Sequence, residues 1–286
     1  MLVFGNRIAP SNLETHLPSY ENVFCMISGT STCHMVLNKK KCPTPGVWGP
    51  YLDAILPGYY LSEAGTTATG KLIDHVIQSH YDGKLPSSMS QIIISLNEQL
   101  KSKDFDHRNS LVVNPAFHGN RSPVANPNLR GAIYGYTLEE TSLLDLYVAT
   151  VEAIAYETRY IIEEIEKSSK PIQKIIVSGG LAKNELYLQL HSDILGVELV
   201  TFTAGEADLM LVGASIIALC ATQVAPTDDP SKLMAILNNL STDEPGFRTH
   251  YRVFKPRQSA TEYHNRKYQC YRRLLDCCIQ MEGILL

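Results

Sequence analysis

Between Ser142 and Lys167 the residues Tyr147, Val151, Ile154, Ala155, Ile161, Ile162 and Ile165 recur at spacings of three, four and seven. That spacing predicts a long helix with a buried face. Similar patterns predict helices over about Thr66 to Ser79, Ser88 to Lys101, Lys183 to Leu195 and Leu209 to Thr222, and a polar helix after Ser259. Two β-rich runs, 23–27 (VFCMI) and 33–37 (CHMVL), flank Ser28-Gly29-Thr30-Ser31-Thr32 and predict a hairpin. Ile172 to Val177 and Val197 to Phe202 have the character of buried strands, and the first runs into Ser178-Gly179-Gly180. Pro43 to Pro57 is rich in turn residues, and Val112-Val113 closes a short strand before the loop-like PAFHGNRSPVANPNLRG. Strand, glycine turn, helix, strand, helix is the order of an α/β layer. Residues 5–22 lack a clean period, so 1–22 is expected to be the remnant of an inter-domain connection and 23–286 a domain.

Composition narrows this picture without redirecting it. With 286 residues, 44% hydrophobic and 19% charged, the chain can bury a globular core. A net charge of -4 argues against the basic surface that nucleic acid requires, and Lys39-Lys40-Lys41 and Arg272-Arg273 are short enough to be solvated faces. The seven cysteines fit no zinc or CxxC spacing, and several, such as Cys220 in IIALCA, sit in apolar runs as reduced thiols do. No apolar stretch reaches the length of a membrane span, and the first ten residues have no signal-peptide pattern. The expectation is a cytoplasmic protein with neither nucleic acid nor membrane as a partner.

Four segments carry candidate chemistry. In the first turn, Gly29 lets an anion approach the backbone, and Thr30 and Ser31 add hydroxyl donors; the same residues also make ordinary hairpin turns. In IIVSGGLAKNELYLQLHSDILG a strand feeds Gly179-Gly180 just before a helix, an arrangement that holds phosphate or simply turns the chain. Asn184 there suits a helix N-cap. Gly70, within Glu63 to Lys71, costs about 1 kcal/mol relative to alanine inside a helix, so something should pack closely against it. Arg121 in His118-Gly119-Asn120-Arg121-Ser122-Pro123 could support a phosphate or only its own loop. No histidine spacing suggests a metal site of the chain's own.

In their order along the chain, SGTS, Trp48-Gly49-Pro50, LPGYYLSEAG, HGNRSP, VSGGLAKNELYLQLHSDILG and LVGASIIALCA resemble the C-terminal domain of the FGGY carbohydrate kinases. SGTSTCHM, GVWGPY, TGKLIDH and FHGNRSP look most like the D-ribulokinase-like, ketopentose-directed branch. The resemblance implies an actin-like ATPase fold of ribonuclease H type, with this chain as the C-terminal half of a two-domain sugar kinase. It further implies ATP with magnesium held mainly through the phosphates. Thr30 would contact phosphate, Gly70, Ile73 and Asp74 would lie along the nucleotide, and Gly180 and Asn184 would border the adenosine. The family's base is an Asp in a DAHAGG-type motif before SGTS. LVFGNRI matches the residues just after that motif, which puts the expected Asp upstream of Met1, and no Asp occurs before Asp53. The expectation is therefore an ATP-binding half that needs the N-terminal sugar domain for catalysis. The alternative is a non-catalytic module that binds nucleotide or a partner.

Overall fold

The computed structural model describes residues 20–102, 106–138, 141–203, 209–225, 228–239 and 250–285; most of the expected 1–22 connection lies outside them. Among the described residues nine strands are present: β1 (Val23–Ser28), β2 (Thr32–Asn38), β3 (Trp48–Leu52), β4 (Tyr60–Thr66), β5 (Val112–Asn114), β6 (Ala132–Tyr134), β7 (Lys174–Ser178), β8 (Leu199–Thr203) and β9 (His250–Phe254). The helices are α1 (Gly70–His80), α2 (Met89–Lys101), α3 (Leu143–Glu166), α4 (Glu185–Leu195), α5 (Leu209–Gln223), α6 (Pro230–Asn239) and α7 (Gln258–Leu285). Seven strands form one sheet in the order β3-β4-β2-β1-β7-β8-β9, and β5 pairs with β6 separately. Neighbours β1, β7 and β8 run parallel, while β2, β3, β4 and β9 pair antiparallel.

The hairpin and the two buried strands read from the sequence are β1, β2, β7 and β8. Five elements were not foreseen: β3, β4, β6, α6 and β9. Tyr60–Thr66 pairs with β2 along its whole length, from Asn38↔Tyr60 to Thr32↔Thr66. Helix α1 therefore starts at Gly70 and not at Thr66 as expected. Strand β4 is largely buried, so its sequence lacks the alternation that marks a half-exposed strand.

One face of the sheet carries most of the core. Phe24, Met26, Val36 and Ala64 meet α1, α3 and α4 there, with α7 closing the outside. Helix α3 begins on Ser142, whose hydroxyl accepts the Asp145 N–H. It is buried around more of its circumference than a one-faced pattern predicts, with Val151, Ile154, Ala155 and Ile161 fully enclosed. Each fully buried Ile or Val side chain stabilises by about 1.5–3 kcal/mol. The helix also buries two carboxyls. Glu152 meets Lys267 of α7 at 2.6 Å, and Glu157 accepts the Asn120 amide at 2.6 Å. Burial pushes the Glu157 carboxyl up to about 8, and the Asn120 bond only partly offsets it. The polar C-terminal stretch is α7, which turns Tyr268, Tyr271, Leu275 and Cys278 inward.

The opposite face is thinner. Cys25, Leu37, Leu61, Ile176 and Val200 pack there with Ile216 and Cys220 of α5 and Leu237 of α6. All seven cysteines are free thiols.

Candidate nucleotide-binding edge

Parallel strands β1 and β7 end side by side, with Ile27 opposite Ser178. Their glycine turns, Gly29–Ser31 and Gly179–Gly180, therefore emerge at one edge of the sheet. Strand β4 reaches the same edge, with Thr66 opposite Thr32, and leads through Thr67–Thr69 into α1. Ligands of open α/β sheets characteristically bind outside the carboxyl ends of parallel strands.

The first turn is braced by α1. Gly29 N–H closes the turn onto the Ser31 carbonyl at 2.9 Å. Thr69 N–H donates to the Thr30 carbonyl at 2.9 Å, Gly70 N–H to the Gly29 carbonyl at 2.9 Å, and the Thr69 hydroxyl to the same Gly29 oxygen at 2.8 Å. The helix's first amides are thus occupied by the turn. The N–H groups of Thr30 and Ser31 have no intramolecular acceptor among the described residues, leaving them available to an anion. Gly70 is the first residue of α1 and not an interior one, so the expected helix-interior penalty does not apply. The close packing expected of it is real: a Cβ there would lie 2.7 Å from the Gly29 carbonyl oxygen.

The second turn contains two different glycines. Gly179 has φ +91°, and a Cβ on it would fall 2.4 Å from the Ser28 carbonyl oxygen. Strand β7 can approach β1 here only with a glycine. Gly180 is exposed and outside the left-handed region, and a Cβ would find nothing within 4 Å. Nothing among the described residues requires glycine at 180. A bare backbone facing open space suits the close approach of a ligand.

Beyond the 3-10 turn Gly180–Lys183, Asn184 caps α4 by accepting the Tyr187 N–H at 3.2 Å. Asn184 also accepts from the Asn97 amide at 3.1 Å and donates to the Tyr147 hydroxyl at 2.8 Å, and Tyr147 donates to the Asn97 carbonyl at 3.0 Å. These three side chains form a closed ring. Burial holds the Tyr147 phenol up at about 12, so it remains a proton donor. The Tyr187 hydroxyl donates to Ser28 at 3.1 Å, tying α4 to the base of the first turn. Beneath it His191 is driven down to about 4 by burial and stays neutral.

The structure treats the remaining candidates differently. Ile73 is only 1% exposed and packs in the core, so its side chain presents no surface along the edge. Asp74 is partly exposed; burial raises its carboxyl while Lys71 works in the opposite direction. Arg121 lies over the Trp48 ring at 4.9 Å and against β4 at Gly65, where a Cβ would meet its guanidinium carbon at 2.9 Å. Asn97, Tyr147 and Thr69 were missed by the sequence reading. Asn97 and Tyr147 lie on helices distant in sequence, and the spacing that marks Tyr147 as a buried helix position does not reveal its polar partners; Thr69 sat unremarked in the small-residue run before Gly70. Among the described residues no three His, Cys, Asp or Glu side chains form a candidate metal centre, and no helix is long and apolar enough to cross a membrane.

Comparison with known proteins agrees with this architecture. The chain is 36% identical over 263 residues to the FGGY carbohydrate kinase domain-containing protein of Homo sapiens, covering 88% of this chain and 45% of that protein. It is 33% identical over 212 residues to a D-ribulokinase of Saccharomyces cerevisiae, covering 69% of this chain and 30% of the relative. The chain therefore spans at most about half the length of these relatives. Among solved structures, xylulose kinase from Rhodospirillum rubrum superposes with a TM-score of 0.70 at 16% identity, over 93% of this chain and 49% of that one. Gluconate kinase from Lactobacillus acidophilus gives 0.69 at 16% identity, over 93% and 49%. The fold is the actin-like ATPase fold of these sugar kinases. The model of the FGGY family of carbohydrate kinases, C-terminal domain, matches residues 25–222, and the chain belongs to that family.

Proposed function

We propose that this chain is the ATP-binding half of a kinase that transfers the γ-phosphoryl group of ATP to a hydroxyl of a ketopentose such as D-ribulose. The observation that carries this reading is the convergence of Gly29–Ser31, the start of α1 and Gly179–Gly180 on one sheet edge, where the Thr30 and Ser31 amides are unpartnered and Gly180 faces open space. In this reading Thr30 and Ser31 hold the terminal phosphates. Gly70 keeps α1 against that turn, and Gly180 leaves room for the adenosine. Asn184 borders the adenosine mainly by positioning the start of α4, because its side chain already serves the ring with Asn97 and Tyr147. Arg121 steadies its own loop on Trp48.

Magnesium would ride on the phosphate oxygens, as this hard ion prefers, and would neutralise charge developing during transfer. Proton removal from the sugar falls to an Asp outside residues 1–286, and sugar selection to a domain corresponding to the rest of the relatives' length. The location of the reading is cytoplasmic, where ATP and free pentuloses are both available.

Calorimetry with MgATP tests the nucleotide assignment. Binding is expected for the chain by itself, while no heat at millimolar nucleotide would sink it. Coupled measurement of ADP tests the division of labour: the 286-residue chain with D-ribulose should release no ADP above buffer. Sugar-dependent release would overturn that division.

A further inference from the structure

We propose that the far side of α1 carries a second ligand site, a groove that binds a phosphate monoester. A cavity of about 430 Å³ lies between α1 and the loop after β5, lined by Thr30, Thr67, Lys71, His75, Phe117 and His118. A second cavity of about 320 Å³ shares His75 and Phe117 with it and continues along α1, walled by Val76, Ile133, Tyr136 and Leu146. The pair makes an elongated groove large enough for a small organic ligand, mainly apolar along its length, with Lys71 and His118 at one end and Ser79, His80 and Thr141 at the other. Gly179, Gly180 and Asn184 line neither cavity. The groove is thus distinct from the segment given to adenosine, although Thr30 borders both.

The chemistry of the Lys71 end selects an anion. Lys71, His75 and His118 form no salt bridge among the described residues, and no carboxylate lines the first cavity. Asp74 interacts with Lys71 but lies outside both linings. Thr67 supplies an independent observation. It lines the first cavity, and its hydroxyl is buried without a hydrogen-bond partner. Rotation about its χ1 would turn that hydroxyl toward an acceptor oxygen in the cavity and satisfy it. An ammonium, imidazoles and hydroxyls together suit a phosphate group, whose oxygens accept charge-assisted hydrogen bonds. The rings of Phe117 and Tyr136 then offer flat walls to a sugar or base attached to that phosphate. A divalent cation would meet like charge here, and a neutral sugar would leave Lys71 unused.

This inference does not rest on the ATP assignment. The test is calorimetry on the 286-residue chain with D-ribose 5-phosphate, AMP and inorganic phosphate as probes. Lys71 and His118 are exposed, so Lys71→Met and His118→Ala should fold normally and each weaken the monoesters at least tenfold. Gly180→Phe should leave D-ribose 5-phosphate affinity within twofold of wild type; AMP, which carries adenosine, is read in the Gly180→Phe background so that the segment given to ATP does not contribute. The two organic probes should bind more tightly than inorganic phosphate, and the tighter of them identifies the organic part as a bare pentose or a nucleoside. Absence of monoester binding at millimolar concentration, equal affinity for all three probes, indifference to the Lys71 and His118 changes, or loss of D-ribose 5-phosphate binding in Gly180→Phe would each overturn the proposal. Failure of MgATP to bind while the monoesters still do would sink the ATP reading and leave this site standing.

Discussion

The edge of the sheet that gathers the glycine turns has a packed side and an open side. On the packed side Gly179 and Gly70 let backbone meet backbone, with Ser28 and Gly29 carbonyls standing where side chains would be. On the open side Gly29 and Gly180 have almost nothing within van der Waals reach. Gly179 and Gly180 are neighbours in sequence, yet one is required by the fold and the other is free for a ligand. Adjacent glycines in a turn thus need not share a reason for being glycine, and substitution can separate the two reasons.

The largest effect is expected on the packed side. Gly179→Ala places a Cβ against the Ser28 oxygen at a positive φ, and should cost about 3 kcal/mol of unfolding free energy in urea. A cost under about 1 kcal/mol would mean that the packed and open sides do not differ. Gly180→Phe is the counterpart. It should weaken MgATP at least 100-fold, about 2.7 kcal/mol, while moving Tm by no more than about 2 °C. Unchanged ATP affinity with a normal Tm would remove Gly180 from the nucleotide site.

Asn184→Ala lies between these extremes, because Asn184 belongs to the packed side by its bonds and to the open side by its place. Loss of the cap and of the ring with Asn97 and Tyr147 should cost about 1–2 kcal/mol of stability. If ATP affinity falls tenfold or more with no loss of stability, Asn184 is a direct ligand contact.

The smallest effect, read at acid pH, is expected from Glu157→Gln, which tests how the loop carrying His118 and Arg121 is held. The Glu157 carboxyl is raised from 4.5 to about 8 in the fold, so the neutral form is the one that the fold favours. Its contribution is complete below pH 4.5 and is lost as pH rises through 8. At pH 4.5 the variant should lie within about 0.5 kcal/mol of wild type, since glutamine keeps an acceptor for the Asn120 amide. Between pH 4.5 and 8 the wild type should lose stability relative to the variant, and above pH 8 the difference should level off; parallel urea curves at pH 5 and 8 would show that Glu157 is not neutral in the fold.

Much of the fold was legible because local pattern and tertiary environment agreed. The period of α3, the runs flanking SGTS and the strand before Gly179 each survive burial with their signatures intact. Strand β4 did not, because both of its faces are covered and it contains Ser62, Glu63 and Gly65. Of the candidate site, the glycine turns were readable as turns, but nothing local divides Gly179 from Gly180. Ile73, a position that the resemblance sets along the nucleotide, turns its side chain into the core, which leaves only its backbone for that role.

By itself the sequence determined the type of the strongly patterned elements, the order of the motifs and, through them, the family. Those features depend on residues near one another along the chain, where spacing and turn chemistry act directly. Tertiary structure alone decided which amides of the first turn remain free, which glycine is packed, and that Asn97, Tyr147 and Asn184 close a ring. It also placed Lys71, His75 and His118 around one cavity. Each of these depends on contacts between segments far apart in sequence, made only when the sheet brings their ends to a common edge.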